Sequence, residues 1–200
     1  YAPRSRFCEI IVNDKYQGIY LLMEKIKRDN DRLDISRLRP QDTVGDQLSG
    51  GYILKIDKTT GANAEGWHSN YKVELDTSRR IFFQCDYPKA RNIHPKQAEY
   101  IRDFTSKVED VFQEARLENA DYRDWVDIQS FIDFYIANEL TYNVDGYRIS
   151  TFLYKDRDSL GGKLHAGPIW DFNLGFGNGF DCDRQNEVGF ALDFTRKCDD

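Results

Sequence analysis

Two aspartates, Asp145 and Asp171, stand where a reversal of the chain can bring them together. They lie 26 residues apart, separated by two strand-like runs, Ile149 to Tyr154 and Lys163 to Trp170, and the turn-rich stretch from Asp156 to Gly162. An antiparallel hairpin with nearly equal arms returns the chain to its start, so both carboxylates are expected at its open end. Two acids so placed repel each other unless a cation intervenes. A divalent ion resolves this, because Mg²⁺ takes one or two carboxylates and completes its shell with water and phosphate oxygens. Trp170 and Phe172 flank Asp171 with apolar bulk, which makes full solvation of that carboxylate less plausible.

Other side chains carry weaker signals. In the run Gly51 to Asp57, alternation sends Tyr52, Leu54 and Ile56 to one face and Ile53, Lys55 and Asp57 to the other. Lys55 is therefore either a phosphate-reaching strand lysine or an ordinary edge-strand lysine, and Glu24 is either its ion-pair partner or a strand-end acid. Glu139 is expected to cap a helix or to orient Arg148. His68, His94 and His165 have no ligand-spaced neighbour and read as surface or core imidazoles. Gly175, Gly177 and Gly179 follow no strand that opens a helix and read as flexible backbone, not a phosphate loop.

The elements that must hold these residues are legible in part. Phe7 to Val12 and Ile19 to Glu24 bracket the reversal Asn13 to Gly18 and predict a hairpin. Residues 25–49 are polar, broken by Pro40 and Gly45, with short helical turns at best. Strands are predicted at Gly51 to Asp57, Tyr71 to Leu75 and Ile81 to Cys85. From Pro95, a residue suited to a first helical position, Ala98, Ile101, Phe104, Val108, Val111, Phe112 and Ala115 recur at steps of three and four. A second helix is expected after Asp127 as N-cap, burying Ile128, Phe131, Ile132, Tyr135, Ile136 and Leu140.

Composition bounds the rest. The chain has 200 residues, 40% hydrophobic and 14% aromatic, enough to bury a core and too aromatic for disorder. No run of apolar residues is long enough to span a membrane. With 28 Lys and Arg against 34 Asp and Glu, the net charge of −6 gives no global basic field for a nucleic-acid backbone. Cys8, Cys85, Cys182 and Cys198 include no C-x-x-C pair, which excludes a zinc ribbon. They read either as small buried thiols or as including a loop-closing Cys182–Cys198 disulfide. That disulfide would place the protein in an oxidising, extracytoplasmic setting, secreted or at a cell surface. The chain lacks an initiator Met and begins directly before a strand, so it reads as a piece of something longer.

One family resemblance runs through these residues. Asn138 to Gly146, Phe152-Leu-Tyr-Lys155 and Gly167-Pro-Ile-Trp-Asp-Phe-Asn-Leu174 with Phe176-Gly177 resemble the spore-coat protein H (CotH) kinase family. Tyr16 to Glu24 is similar to that family's upstream hairpin and Asp127 to Glu139 to its helix. The resemblance implies an α+β fold of atypical protein-kinase type. A small N-terminal β sheet (1–90, β-rich) would be followed by a helical part (91–200) with the catalytic hairpin, in one incomplete domain over 1–200. It implies ATP with Mg²⁺ or Mn²⁺, and phosphoryl transfer to Ser or Thr of a protein substrate. Asp145 would be the catalytic-loop aspartate and Asp171 the metal-binding aspartate of a DFG-like motif. Ser150 would join them at the metal, standing where the family usually has Asn, and Asn173 stands where Asp often follows Asp-Phe. Those two departures favour an alternative, a catalytically silent scaffold of the same fold. A third reading, a carbohydrate-binding module, would stack sugars on Trp67, Trp125 and Trp170.

Overall fold

The computed structural model describes residues 1–59, 65–72, 79–117, 120–179 and 189–194. It opens with a hairpin of β1 (Ser5–Val12) and β2 (Lys15–Met23), which among the described residues pair only with each other. The reversal is tighter than the sequence implied. Asn13 and Asp14 alone make it, both at positive φ (49° and 62°), and Gly18 lies inside β2 next to the register shift opposite Ile10. Apolar side chains on both faces of this hairpin stay exposed, Phe7 at 77% on one and Leu22 at 65% on the other.

A second sheet holds everything else together, in the order β4-β5-β3-β6-β7. Its strands are β3 (Tyr52–Ile56), β4 (Gly66–His68), β5 (Phe82–Tyr87), β6 (Thr151–Lys155) and β7 (Leu164–Ala166). All its pairs are antiparallel. The sheet crosses the expected boundary near residue 90, because β3 from the first part pairs with β6 of the final hairpin. The strand beside β5 is Gly66–His68 and not the run beginning at Tyr71; Tyr71 and Lys72 are outside any strand, and residues 73–75 lie outside the described residues.

Strand β3 divides its residues between two faces as its alternation predicts. It is the central strand, so Lys55 is not an edge-strand lysine, and apolar residues of both faces are buried. Tyr52 and Leu54 join Ile101, Val108, Val126, Leu153 and Leu164 in one core cluster. Ile53 joins Ile26, Leu33, Ile35 and Phe152 in another. Burying each such aliphatic side chain contributes about 1.5–3 kcal/mol. The segment before β3, whose only helix is the single turn α1 (Gly45–Leu48), thus supplies core residues that its polar composition conceals.

The helix α2 (Pro95–Arg116) starts where Pro95 places it. His94 caps it, its Nδ1 accepting from the Lys96 amide while its own amide donates to Gln97 Oε1. Ile101, Val108 and Val111 are buried on the predicted face. The helix α3 (Ile128–Thr141) begins at Asp127, whose carboxylate accepts from the Ser130 amide at 2.8 Å. Its predicted buried face is corrected: Ile132, Tyr135, Ile136 and Leu140 are exposed, Leu140 at 74%. The helix is apolar nearly all round, so periodicity could not select the face; Ile128 and Phe131 meet the core and the polar Asn138 is fully buried. A last turn, α4 (Ala191–Phe194), follows.

Cys8 and Cys85 are free thiols, and burial pushes the Cys85 thiol up to about 12. Cys182 and Cys198 lie outside the described residues. Among the described residues no helix is long and apolar enough to cross a membrane.

Candidate functional site

The site is built on three loops at one end of the second sheet. The first leaves α3 at Tyr142, whose left-handed backbone (φ 49°) ends the helix. Two buried asparagines shape this loop. Asn138 donates to the Phe134 carbonyl at 2.8 Å, and Asn143 donates to Asn138 Oδ1 at 2.9 Å. Gly146 packs so closely on Asn138 that any Cβ would collide with its amide oxygen. Thr151 Oγ donates to the Gly146 carbonyl at 2.8 Å and fixes the loop to the start of β6.

Asp145 sits in this loop. Its carbonyl accepts the Arg148 and Ile149 amides, and its Oδ1 pairs with Arg148 Nη2 at 3.0 Å. The carboxylate is largely buried, its side chain 14% exposed. Glu139, expected to cap a helix or orient Arg148, caps: it accepts the Ala191 and Leu192 amides at the start of α4 and the Tyr147 hydroxyl at 2.7 Å. Burial, and then that hydrogen bond, pushes the Tyr147 phenol far up.

The second loop follows β7. Asp171 is exposed and in left-handed backbone (φ 60°, ψ 50°). Across the open end of the hairpin, Ser150 donates its hydroxyl to Asp171 Oδ2 at 3.4 Å; Ser150 is itself at φ 54°. With its amide nitrogen turned toward Asp171, as the surrounding donors and acceptors require, Asn173 donates to Oδ1 at 2.8 Å and to the Asp171 carbonyl at 3.2 Å. Both carboxylate oxygens are thus held by neutral donors. The Phe176 amide donates to the Thr141 carbonyl, tying this loop to the end of α3. Non-glycine residues in left-handed backbone cost free energy and concentrate at functional sites, and Ser150, Asp171 and Phe176 gather here.

The third loop continues β3. Lys55 lies across from Phe152, and the ring of Trp170 meets Phe152 edge-on at 6.3 Å. The last pair of the ladder is Ile56 with Thr151, so Asp57 leaves β3 at the end where Ser150 enters β6. Lys55 pairs with Asp57 at 3.4 Å.

At the open end of the hairpin, Ser150 meets Asp171 and Asp145 meets Arg148. The residue that reaches Asp171 is Ser150, and among the described residues no hydrogen bond or ion pair joins Asp145 to either of them. The ordered strands are shorter than predicted, and five residues separate Asp145 from β6. The expected Glu24–Lys55 pair is not formed. Glu24 instead accepts from Arg4 Nη2 at 2.6 Å, the Arg4 amide at 3.0 Å and the Tyr1 hydroxyl at 3.2 Å, closing the first hairpin. Arg148 and Asn173 are the site residues that sequence reasoning did not assign to these acids. The i, i+3 spacing of Asp145 and Arg148 was the available signal.

The histidines serve structure: His94 as a cap, His68 against Phe82, and His165 stacked on Tyr154 at 4.6 Å. The tryptophans are likewise engaged. Trp67 donates to Thr105 Oγ and stacks on Phe83, Trp125 packs on Phe104, and Trp170 packs on Phe152.

The donor set fits a divalent cation. Asp171 presents an exposed carboxylate that pairs with no cationic side chain among the described residues, beside the Ser150 hydroxyl, and both are hard oxygen donors. Among the described residues no three His, Cys, Asp or Glu side chains gather into an all-protein cage. Such a site would depend on water and substrate oxygens for the rest of its shell.

An α+β domain with an acidic loop site at one sheet end is the class these observations define. Within it, the family model of the CotH kinase protein matches residues 1–196, and the chain belongs to that family. No curated protein and no solved structure matches the chain.

Proposed function

We propose that the chain is a CotH-like atypical protein kinase that transfers phosphate from ATP to Ser or Thr of a protein, with Mg²⁺ or Mn²⁺ at Asp171. The observation that carries this reading is the Asp171 carboxylate, held in left-handed backbone by Ser150 and Asn173 with no cationic side chain paired to it among the described residues. Bound there, a divalent ion would neutralise phosphate charge and align the nucleotide.

This chain's own residues do the remainder. Asp171 and Ser150 would supply oxygens to the ion. Lys55, one strand away from the site on β3, offers a positive charge for phosphate oxygens, with Asp57 as its resting partner. Asp145, with Oδ1 on Arg148, uses Oδ2 to orient and accept the proton of the acceptor hydroxyl. Transfer of the γ-phosphoryl group breaks its bond to ADP and forms one to the acceptor oxygen.

A second reading is the catalytically silent scaffold of the same fold, favoured by the Arg148 pairing that neutralises Asp145. The deciding experiment measures ATP affinity with Mg²⁺ or Mn²⁺ by calorimetry, together with phosphate incorporation into a Ser-rich acceptor. Binding with incorporation supports the kinase; no nucleotide binding with either metal leaves the scaffold. An extracytoplasmic setting is part of the proposal and is tested by mass mapping of a Cys182–Cys198 disulfide.

A further inference from the structure

An acidic protein has little reason to collect cations in one place, yet this chain does so far from its acidic site. A cavity of about 760 Å³ opens between the exit of β2 (residues 25–28), residues 37–40 and the stretch from Asp86 to Asn92. Seven of its lining side chains are Lys or Arg and one, Asp86, is acidic. Two of the cations are neutralised: Lys27 by Asp29 at 2.9 Å and Lys89 by Asp86.

The other five, Lys25, Arg28, Arg37, Arg39 and Arg91, pair with no carboxylate among the described residues. Arg28 only overlies the Tyr87 ring, at 6.0 Å. Like charges at this density repel, and the one carboxylate held at this segment, Asp42, accepts from the Arg39 backbone amide at 2.8 Å and forms no ion pair among the described residues. The walls are fixed. Ile26 and Leu38 belong to the core, and the Tyr87 hydroxyl accepts from the Leu38 amide at 3.3 Å.

The register places this groove at the opposite end of the second sheet from Ser150 and Asp57. Ile53 pairs with Tyr87 at the groove end, and Ile56 with Thr151 at the other. It is therefore a separate site. We infer that the groove binds a short anionic peptide segment, rich in phosphoserine, Asp or Glu.

Two observations select that ligand. Of the chain's 28 cationic and 34 acidic side chains, the groove takes seven and one, leaving 21 against 33 elsewhere. A long polyanion such as nucleic acid would run from the groove onto that acidic remainder and be repelled, while a compact segment ends within the groove. The lining is also mixed. The exposed Pro40 and the half-buried Tyr87 give apolar contact for neighbouring side chains, which free phosphate cannot use. Arginines from separate chain segments are suited to bidentate recognition of phosphate and carboxylate.

The test is fluorescence anisotropy of a short labelled peptide on the full chain, without nucleotide or metal, so that its result is independent of phosphoryl transfer. Three versions are compared: phosphoserine-rich, Glu-rich, and a neutral Ser and Gln version. The anionic peptides bind and the neutral one does not. Raising ionic strength to about 1 M, where the screening length is ~3 Å, removes binding. The exposed pair Arg37→Glu with Arg91→Glu weakens affinity by roughly tenfold or more. The control pair Lys15→Glu with Lys163→Glu, outside the groove, leaves it unchanged, and thermal melting confirms that all variants are folded. Equal binding of the neutral peptide, an unaltered affinity in the groove variant, or preference for a single-stranded oligonucleotide over every peptide overturns the inference.

Discussion

Ser150 and Asp171 face each other across the open end of the β6–β7 hairpin, hydroxyl to carboxylate at 3.4 Å, each in left-handed backbone. The length of that contact is informative. At 3.4 Å it is a loose hydrogen bond, outside the usual range of about 2.5–3.0 Å for hydroxyl donors, so the two oxygens can part to admit a cation between them. Asn173 keeps the other carboxylate oxygen in place at 2.8 Å.

Ser150→Asn is expected to tighten Mg²⁺ or Mn²⁺ binding, because an amide oxygen is a better neutral ligand than a hydroxyl. The backbone favours the change as well: asparagine tolerates φ near 54° more readily than serine does. Metal titration by calorimetry checks it, and an unchanged affinity would remove Ser150 from the site.

The two aspartates should fail in different ways. On the kinase proposal, Asp171→Ala is expected to eliminate metal-dependent nucleotide binding, because the residue would hold the ion in ground and transition states alike. Asp145→Ala should spare most of that binding and cost several orders of magnitude in transfer rate, because it acts on the acceptor hydroxyl. ATP affinity and phosphate incorporation measured side by side separate the two. Equal loss of nucleotide affinity in both variants would contradict the division of roles.

How much of this was legible depends on whether a residue's partner is near in sequence. The two faces of β3 could be read from strict alternation at Tyr52, Ile53, Leu54 and Lys55, and α2 from the spacing that begins at Pro95. On α3 the pattern misled, because Ile132, Ile136 and Leu140 lie on a helix whose opposite face is also apolar, while the buried Asn138 is satisfied by the Phe134 carbonyl and Asn143. Asp145 and Asp171 were visible as a pair around a hairpin, whereas their immediate holders, Arg148 and Asn173, act through loop conformations that no periodicity encodes. Residues 25–40 carry no period at all. Their core contribution arises from contacts with Ile53 of β3 and Phe152 of β6, and their groove from the end of β5 and the turn after it.

Glu24 gives a pH prediction. The hydrogen bonds from the Arg4 side chain, then from its backbone amide, hold this carboxyl at about 2, against an ordinary value of 4.5. A carboxyl depressed in the folded state stabilises fully above its unfolded value and loses that contribution as pH falls through the folded one. The base of the β1–β2 hairpin should therefore hold at about pH 4.5 and loosen toward pH 2. Hydrogen exchange at the Glu24 amide, which donates to the Arg4 carbonyl at 3.0 Å, reads this directly. Glu24→Gln should exchange faster already at neutral pH and show no further acid step; an acid step that persists in that variant would assign it to another group.

Gly146 is expected to be the least replaceable residue of the loop between α3 and β6. A Cβ there collides with the Asn138 amide oxygen, which cannot withdraw because Asn138 is fully buried and is bonded to Asn143 and to the Phe134 carbonyl. Overpacking of this kind costs about 1–3 kcal/mol, and displacing the Asn138–Asn143 bond adds to it. Asn138→Ala alone should cost a similar amount by leaving buried polar groups without their partner. Combined, the two substitutions should cost less than their sum, because the alanine at 138 removes the atom that the new Cβ strikes. Urea denaturation of both single variants and the double variant measures the coupling, and strict additivity would show that the collision is relieved elsewhere. Gly146 lies beside Asp145, so the single variant should also lose phosphate transfer while Asp171 keeps nucleotide and metal bound. Loss of both together would place Asp145 and Asp171 on one mechanical unit.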